Sequence, residues 1–415
     1  PVPTGVDFPE RLHRTGTLAN VAAAAGHQVT WWTAAFDRVS RQNLFAADTT
    51  LQLRPGLEIR LLHTPGYCSS ISLARIRDQR LLADKFARYA RQQPPPDVIL
   101  CALPVIELCE ASVRYGIEAG VPVVLDMRDM WPDIIVDTFP ALLRPFARLL
   151  LIPMFSAARF ACSQATAITG INDVFVDWGL ARGSRAKTGF DRSFPLGYTV
   201  APPPAEKIAA AEAFWDEHGV LADDPVFNIC FFGTLGHQFD MGTIFAAADK
   251  LRDAAQAVRF IVCGSGDKID QYRAMAADNP RVLLPGWADY AQMYVLMRRS
   301  RAGIDPLTDR YDFLNTVNNK AVEYLSAGLP VISSPRRGML FDLLTSEYCG
   351  LSYDYGDADG LAAIIRSLVS GAGTLGTMSG NARTLFENKF RADRVYAGMT
   401  AYLEEIVQTY TKSQR

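Results

Sequence analysis

Short apolar stretches alternate in the first half of the chain with longer segments in which apolar residues recur at helical spacing. The apolar stretches predict strands at 27–33, 58–63, 97–102 and 121–125. The helical pattern covers 11–25, 73–92 and 106–119. Strands and helices that alternate at this spacing predict a parallel sheet with helices on both faces.

The pattern is interrupted near residue 195, where prolines and glycines in 194–204 indicate a linker. A second alternating set follows. Its strands are predicted at 227–232, 258–263, 281–284, 302–305 and 331–333, and its helices at 206–218, 241–252, 269–277, 290–298, 321–327 and 393–410. We therefore expect an N-terminal α/β domain at 1–198, a second at 199–390, and a C-terminal helical segment at 391–415.

Composition narrows the class of protein. The chain has 415 residues, 49% of them apolar, which is enough for more than one core. The net charge of −2 argues against nucleic acid as a main partner. Seven cysteines without a Cys-x-x-Cys pair indicate free thiols in a reducing cytosol, and five histidines show no metal-ligand spacing. No signal peptide or run of 18 apolar residues is found, so no membrane span is predicted.

Residues 142–160 combine apolar residues with Arg144, Arg148 and Arg159. Two interpretations stay open for this segment. It is either a core helix with basic edges or an amphipathic helix that lies in a membrane interface.

The segment 315–332 predicts a loop, a short helix, a tight turn and a strand. Thr316 and Asn318 are alternative N-caps, Gly328 suits the left-handed position after a helix, and Pro330 prevents further helix. These residues define the helix on which the strongest candidate side chains lie.

Lys320 and Glu323 lie three positions apart and share a face of this helix. Lys320 falls in the first turn, where the helix dipole disfavours a cation. Its presence is explained if an anion binds close by. The alternative is a local ion pair between Lys320 and Glu323 on a solvated face.

A glycine-rich turn, Gly233-Thr234-Leu235-Gly236-His237, joins a predicted strand to a predicted helix. Such a turn offers backbone N–H groups and a helix N-terminus to phosphate. An ordinary strand-to-helix turn is the alternative.

A second turn contains Gly264 and Gly266, but Ile269 occupies the third glycine position of a dinucleotide fingerprint. That fragment is weak evidence for a nucleotide. Trp287 follows the next predicted strand, where it either stacks on a nucleobase or covers the rim of the sheet.

The segment 126–133 follows a buried strand and holds three carboxylates, Arg128 and a Trp-Pro pair. Ligands bind at the carboxyl ends of strands in open parallel sheets. Polar groups of this density are costly to bury without a use. The alternative is a salt-bridged surface turn.

Two of these segments resemble family 4 glycosyltransferases, in the branch that builds bacterial surface polysaccharides. Arg128-Asp129-Met130-Trp131-Pro132 is similar to the Arg-Asp-x-Trp-Pro motif of that branch. Glu323 and the turn Ala327-Gly328-Leu329-Pro330-Val331 resemble the second half of its donor signature. Asn315 stands where the first Glu of the signature usually stands, which is a departure.

The resemblance implies an α/β protein of the GT-B architecture, with two facing Rossmann-like domains and an interdomain cleft. It implies a hexosyltransferase that moves a sugar from a UDP- or GDP-linked donor to a glycan or polyprenyl-diphosphate-linked acceptor, in surface polysaccharide synthesis. Retention of the anomeric configuration, no metal and no further cofactor are also implied. The expected location is cytoplasmic, or peripheral on the inner face of the plasma membrane through 142–160.

The resemblance also implies residue roles. Catalysis is expected from Lys320, Asp129, Arg128 and His237. Donor binding is expected from Gly233, Thr234, Leu235, Gly236, Gly264, Gly266, Trp287, Asn315, Thr316 and Glu323. Arg11, Arg14 and Gly16 flank the first predicted helix, and they are expected on the acceptor side, where the family has a glycine-containing loop. The usual first strand is not found, because residues 1–5 already resemble that loop.

Two other functions are compatible with the sequence. A sugar-nucleotide epimerase shares the architecture but needs paired acid–base groups beside the sugar, and Asn315 in place of Glu argues against it. A non-catalytic partner in a polysaccharide assembly complex is supported by Asn315 and by the unmatched first strand.

Overall fold

The structure is a computed structural model that describes residues 12–37, 40–69, 72–223, 225–236, 238–252, 257–276 and 279–413. The chain divides into two compact units. One unit consists of Pro1–Pro195 with Asp393–Arg415, and the other is Leu196–Ala392. The predicted divisions lie at 198 and 390, and the predicted loop at 1–5 lies outside the described residues.

The first unit mixes short strands with longer helices. Its strands are Val29–Ala34, Phe36–Asp37, Gln42–Asn43, Thr49–Arg54, Leu57–Leu62, Ile99–Leu103, Val123–Met127, Ala167–Gly170 and Arg192–Ser193. Its α-helices are Arg14–Ala24, Leu73–Ala90, Ile106–Ala119, Asp133–Asp137, Arg144–Leu150, Ile152–Gln164, Asp173–Gly183 and Ala392–Ser413.

A parallel sheet forms the centre of this unit. Its strand order is Ile99–Leu103, Val123–Met127, Ala167–Gly170, Arg192–Ser193. Every residue of Val123–Met127 is buried, as expected for a strand covered on both faces. The carboxyl end of this strand leads into the Arg-Asp-x-Trp-Pro segment.

The expectation that the strands of the first unit are all parallel is wrong for Thr49–Arg54, which pairs antiparallel with Leu57–Leu62. Only Pro55 and Gly56 connect the two strands, and so short a connection can join only antiparallel neighbours. Gly56 has a φ of 77°, which glycine adopts without steric cost.

The C-terminal helix Ala392–Ser413 packs on the first unit. Tyr402 and Ile406 are buried against Val124 and Ala167 of the parallel sheet. The Tyr402 hydroxyl also donates to the carbonyl oxygen of Phe190 at 2.7 Å.

The second unit contains a six-stranded parallel sheet. The strand order is Val282–Gly286, Val258–Ser265, Phe227–Thr234, Ala302–Pro306, Val331–Ser334, Gly350–Ser352. Its α-helices are Ala205–Glu217, Met241–Lys250, Ile269–Ala276, Tyr290–Arg298, Tyr311–Leu314, Asn319–Ser326, Met339–Ser346, Ala358–Ser370 and Ala372–Leu385. Side chains of the central strands form its core, so the predicted α/β fold with parallel sheets is confirmed.

The segment 142–160, considered as one helix in the sequence, is two helices, Arg144–Leu150 and Ile152–Gln164, that meet at an angle of 68°. Pro153 near the start of the second helix explains the break, since its ring cannot continue the preceding helix. Among the described residues no single helix is long and apolar enough to cross a membrane. Two bent pairs, 141–164 and 358–390, have the length and composition only when their halves are combined.

Candidate functional site

The carboxyl ends of the central strands in the second unit bring several of the predicted residues together. Phe227–Thr234 ends at the glycine-rich turn, and Ala302–Pro306 ends beside the helix that carries Lys320. This edge of a parallel sheet is where ligands bind in open α/β folds.

Asn318 is the N-cap of the helix Asn319–Ser326, since its Oδ1 accepts a hydrogen bond from the Ala321 N–H at 3.1 Å. Of the two N-caps considered, Thr316 therefore does not fill this position. The other end of the Asn318 amide, Nδ2, donates to Oδ2 of Asp305 at 2.5 Å. The amide thus connects the start of the helix to the end of the neighbouring strand.

Lys320 extends across the end of the central strand. Its Nζ lies 4.1 Å from the centre of the Phe239 ring and 6.0 Å from that of Phe231, a cation–π arrangement. A Cβ atom added to Gly233 would lie 3.6 Å from Cδ of Lys320, so the side chain passes close to the glycine-rich turn. The structure thus brings Lys320 and Gly233 together as one candidate anion site.

Asp305 is a buried carboxylate that the sequence analysis did not assign to the site. Burial raises its pKa, and the Lys320 ammonium and the Asn318 amide partly oppose that rise. Its Oδ1 is buried and has no hydrogen-bond partner among the described residues. A signal was available, because Asp305 is an acidic residue in an otherwise apolar predicted strand.

Glu323 is buried, with only 1% of its surface exposed. The alternative considered for this helix, an ion pair of Lys320 and Glu323 on a solvated face, is therefore wrong about the exposure of Glu323. All residues from Ala321 to Leu325 are buried, because the helix is covered on most sides rather than on one stripe. The neighbouring Tyr324 hydroxyl anchors the helix to the sheet by accepting from the Phe232 N–H and donating to the Ile304 carbonyl, both at 3.3 Å.

The glycine-rich turns hold each other in place. A Cβ atom on Gly264 would lie 1.9 Å from the carbonyl oxygen of Gly233, and one on Gly266 would lie 2.3 Å from that of Leu235. Both glycines are therefore required by the packing of the turns, whether or not a ligand binds.

Two N–H groups of the first turn are already used. The Leu235 N–H donates to the Ser265 carbonyl at 2.8 Å, and the Gly236 N–H donates to the Thr234 carbonyl at 3.0 Å. In this structure these two groups are not available to a phosphate, which increases the importance of side-chain cations. His237 lies outside the described residues.

Three further predicted donor-site residues lie on the loops of the second unit. Trp287 follows the end of an edge strand and is 66% exposed, so its ring is accessible to a planar ligand. Nδ2 of Asn315 donates to the Tyr311 carbonyl at 2.8 Å, and the Thr316 N–H donates to the Phe313 carbonyl at 3.4 Å. These bonds shape the loop that leads to Asn318.

In the first unit, Asp126 is the centre of a buried charge cluster. Nε and Nη2 of Arg14 donate to its two oxygens at 2.9 and 3.0 Å, and Nε of Arg128 donates to Oδ2 at 2.6 Å. The Thr169 hydroxyl adds a bond of 3.1 Å. Burial alone would raise the pKa of Asp126, but the two guanidinium groups outweigh it and hold the pKa well below its usual range.

This cluster determines what Arg14 and Arg128 can do. Arg14 is buried, and its Nη1 also donates to the carbonyl oxygens of Phe194 and Pro195, each at 2.8 Å. The geometry therefore gives Arg14 a structural role instead of the expected acceptor contact. Arg128 keeps 21% of its side chain exposed while Nη1 donates to the Thr15 hydroxyl at 2.7 Å.

Asp129 supports its own loop. Its Oδ1 accepts from the Met130 N–H and its Oδ2 accepts from Nε1 of Trp131, both at 2.9 Å. The guanidinium carbon of Arg75 lies 3.9 Å from the centre of a Trp131 ring. The Arg-Asp-x-Trp-Pro segment is thus held by its own side chains and by a buried arginine.

Gly16 is not in a loop, because it lies inside the helix Arg14–Ala24. A Cβ atom there would lie 3.0 Å from Cδ2 of Leu12 and 3.2 Å from the ring of Trp31, so the helix packs closely against both side chains at this position. The expected glycine-containing loop is therefore helical at this position. Arg11 lies outside the described residues.

No group of three or more His, Cys, Asp or Glu side chains in the described part of the chain could hold a metal ion. The seven cysteines are free thiols, as predicted, and Cys68 is the exposed one. The candidate side chains at the carboxyl ends of the strands, in each of the two units, are cations, carboxylates, amides and aromatic rings.

Comparison with protein-family models gives a match within the second unit. Residues 226–371 match the family model described as Glycosyl transferases group 1. No curated protein matches the sequence.

Solved structures resemble the chain over its length. Sucrose-phosphate synthase from Thermosynechococcus elongatus has a TM-score of 0.70 at 17% identity, over 95% of this chain and 93% of that one. Anabaena HepE in complex with UDP-glucose has a TM-score of 0.62 at 15% identity, over 98% of both chains. WaaG, a glycosyltransferase involved in lipopolysaccharide biosynthesis, has a TM-score of 0.62 at 14% identity, over 96% of this chain and 95% of that one.

At these sequence identities the likeness to solved structures establishes the fold. The predictions of a GT-B fold and of a glycosyltransferase enzyme are confirmed at this level. The chain has the two-domain α/β fold of GT-B glycosyltransferases, and its residues 226–371 match the glycosyl transferases group 1 model.

Proposed function

We propose that this protein is a retaining, metal-independent glycosyltransferase that moves a sugar from a nucleotide-sugar to a glycan acceptor. The observation that carries the proposal is the position of Lys320. At the carboxyl edge of the sheet its stem passes the turn at Gly233, and its ammonium lies 4.1 Å from the centre of the Phe239 ring. It also lies in the first turn of a helix, where an anion is favoured by the helix dipole.

The chemistry of transfer explains the need for a cation. The bond between the sugar C1 and the phosphate oxygen breaks, and the electron pair stays on the leaving diphosphate. The acceptor hydroxyl oxygen forms the new bond to C1 and its proton passes to the departing phosphate. Lys320 stabilises the charge that develops on the diphosphate, which is the usual electrostatic contribution of a positioned cation.

Other residues position the donor. Glu323 lies one helical turn from Lys320 and accepts hydrogen bonds from the ribose, as the family resemblance implies. Trp287 is exposed and offers a ring face to the base. Asn315 and the neighbouring backbone of Phe313–Thr316 lie on the loop before the helix and contact the sugar.

The donor carries UDP or GDP, and UDP is supported by the likeness to Anabaena HepE, whose structure holds UDP-glucose. The acceptor is a glycan, free or linked to a polyprenyl diphosphate, in surface polysaccharide synthesis. This class is supported by the Arg-Asp-x-Trp-Pro segment and by the likeness to WaaG. The reaction takes place in the cytoplasm or at the inner face of the plasma membrane.

Two measurements test the proposal. Thermal-shift scans with UDP and GDP identify the base, since a ligand at 100 times its Kd adds about 2.7 kcal/mol of stability. Release of the diphosphate from UDP-glucose or GDP-mannose is then followed with EDTA present, with and without a mixture of glycan acceptors. We expect acceptor-dependent release that EDTA does not change.

The second candidate function is that of a non-catalytic partner in a polysaccharide assembly complex, and Asn315 in place of an acidic residue favours it. Nucleotide binding without turnover on any acceptor would support this function. Conversion of the donor to an isomeric nucleotide-sugar without acceptor would instead indicate an epimerase. Activity that is lost in EDTA and restored by Mg²⁺ would refute the metal-independent mechanism.

A further inference from the structure

The carboxylate of Asp305 is a costly side chain at its position in the second unit. Every residue of the strand Ala302–Pro306 is buried, and Asp305 itself is 0% exposed. A buried carboxylate lowers stability unless polar partners replace the lost water. Oδ2 accepts one hydrogen bond, from Nδ2 of Asn318 at 2.5 Å, while Oδ1 has no hydrogen-bond partner in the described part of the chain. An apolar residue would suit the packing of this strand better, so the carboxylate indicates a use beyond packing.

The carboxylate fixes which way the Asn318 amide points. An ionised carboxylate accepts hydrogen bonds and cannot donate them, so Nδ2 of the amide must face Asp305. Oδ1 of the amide then faces the helix, where it accepts from the Ala321 N–H at 3.1 Å. Capping alone does not require this arrangement, because Ser, Thr or Asp also serve as N-caps. The pair of Asp305 and Asn318 therefore determines how the helix Asn319–Ser326 begins.

Lys320 lies in the turn that this amide holds, two positions after the cap. Its Nζ lies 4.1 Å from the centre of the Phe239 ring. Burial raises the pKa of Asp305, and the attraction of the Lys320 ammonium opposes that rise. The ammonium and the carboxylate are thus close enough to interact, although the amide of Asn318 makes the direct contact.

The end of the same strand also holds the aromatic partner of Lys320. Phe239 forms an isolated antiparallel bridge with Leu307, and the Asp240 N–H donates to the Pro306 carbonyl at 2.8 Å. The strand end therefore supports the ammonium from two directions. Backbone hydrogen bonds hold the ring, and the buried carboxylate holds the helix start.

We propose that Asp305 is a positioning residue for the leaving-group step, and that it acts through the Asn318 amide to hold the Lys320 ammonium where the diphosphate departs. This inference rests on the proposed function, because it assigns Asp305 to a step of that reaction. A displaced ammonium still attracts the donor, but it stabilises the charge of the transition state less well. Loss of the carboxylate should therefore lower kcat more than donor affinity.

The test compares steady-state rates of diphosphate release from UDP-glucose or GDP-mannose, whichever the parent uses with acceptor, well below the melting temperatures. Asp305→Ala removes the partner of the Asn318 amide. We expect it to lower kcat about 10–100-fold, the effect of a small misplacement at a reacting centre, with little change in the KM for the donor. Asp305→Asn retains an oxygen that accepts from Nδ2 and should restore most of kcat.

An exchange of the two side chains tests the path through the amide. Asn318→Asp alone places two carboxylates in contact, and their repulsion should lower kcat at least as far as Asp305→Ala does. Asp305→Asn combined with Asn318→Asp restores one amide and one carboxylate, and the carboxylate at position 318 still caps the helix. The double variant should turn over about tenfold faster than Asn318→Asp alone, as expected for two directly coupled side chains.

The matched control is Asn228, a buried amide at the opposite, amino end of the central strand Phe227–Thr234. Its Nδ2 donates to the Arg299 carbonyl at 3.0 Å, and its Oδ1 is also buried with no hydrogen-bond partner among the described residues. Asn228→Ala should lower the melting temperature about as much as Asp305→Ala and leave kcat and KM unchanged.

The outcomes separate this inference from the proposed function. A parent that shows no acceptor-dependent release of diphosphate refutes the proposed function, and the inference with it. An active parent whose kcat is unchanged by Asp305→Ala overturns the inference alone. Equal loss of kcat in Asn228→Ala would also overturn it, since the loss would then follow stability. A double variant no faster than Asn318→Asp alone would exclude the path through the amide.

Discussion

Arg14 donates from Nε and Nη2 to both carboxylate oxygens of Asp126, although 112 positions separate the two residues in the sequence. Both side chains are buried, and Arg128 adds a second guanidinium to the same carboxylate. A buried pair of this kind gives little net stability over an apolar replacement, but the loss of one partner leaves an uncompensated charge.

We therefore predict that Arg14→Met lowers the free energy of unfolding by about 3–5 kcal/mol, the usual cost of breaking a buried pair. Urea denaturation followed by circular dichroism measures the change. Arg192→Met is the control, because Arg192 forms a similar pair with Glu405 at the surface and should cost about 1 kcal/mol or less. Equal effects of the two substitutions would contradict the structural role of Arg14.

The same cluster predicts a dependence of stability on pH. The folded-state pKa of Asp126 lies below that of an unfolded Asp, which is about 3.9. The stabilising contribution is therefore complete above about pH 4 and is lost as the pH falls through the folded-state pKa. Asp126→Asn should flatten the acid limb of the stability curve. An unchanged acid limb in this variant would show that Asp126 is not the titrating group.

Asp305 predicts the opposite behaviour, because its folded-state pKa is raised by burial despite the nearby Lys320 and Asn318. A group of this kind favours folding below its unfolded pKa, and that contribution is lost as the pH rises through its folded pKa. Asp305→Asn should therefore keep or increase the melting temperature at pH 7 and reduce the gain in stability on acidification.

Asp305→Ala is the matched comparison. It removes the acceptor of the Asn318 amide and should cost about 1–3 kcal/mol. A lower melting temperature of Asp305→Asn at pH 7, equal to that of Asp305→Ala, would show that the negative charge itself stabilises the site.

The burial of Glu323 requires two substitutions to test its role in donor binding. Glu323→Gln preserves volume and should leave the fold intact while nucleotide affinity falls, because an amide is a weaker acceptor for ribose hydroxyls than a carboxylate. Glu323→Ala should also lower the free energy of unfolding, by about 1–3 kcal/mol, since it leaves a cavity at a buried position. Calorimetry with the nucleotide found in the thermal-shift scans decides, and unchanged affinity in Glu323→Gln removes Glu323 from the donor site.

The sequence predicted regular elements well where the periodic signal was strong. The helices Ile106–Ala119 and Tyr290–Arg298 have the predicted bounds. The antiparallel strand Thr49–Arg54 was missed because it is half exposed and includes Thr and Gln. Ala167–Gly170 was missed because a strand of four residues is too short to show a hydrophobic periodicity. Strong local patterns thus identified the fold class. The two missed strands have weak or short patterns, and they form because the fold pairs them with neighbouring strands.

The candidate site was predictable only in part. Asn318 and Lys320 are adjacent to a helix start, so their local positions follow from the sequence. The contact between Arg14 and Asp126 joins distant segments and leaves no local signal. A helical pattern also cannot show that Glu323 is covered, since a second layer buries the side that spacing alone assigns to solvent.

Lys320 carries the last prediction. Its stem passes Gly233 and its ammonium faces the Phe239 ring, so the side chain has both a packing role and a charge. Lys320→Met keeps most of the stem and removes the charge. We expect it to lower kcat about 10²–10³-fold, because charge on the diphosphate grows in the transition state, while donor affinity falls less. Lys320→Arg should not restore the rate, since a guanidinium is broader and directs its donors differently.

Lys250→Met, at a lysine paired with Asp359 on another helix, is the control and should leave kcat unchanged. Near-normal turnover of Lys320→Met with a reduced melting temperature would show that Lys320 serves the packing of the strand end and not the leaving group.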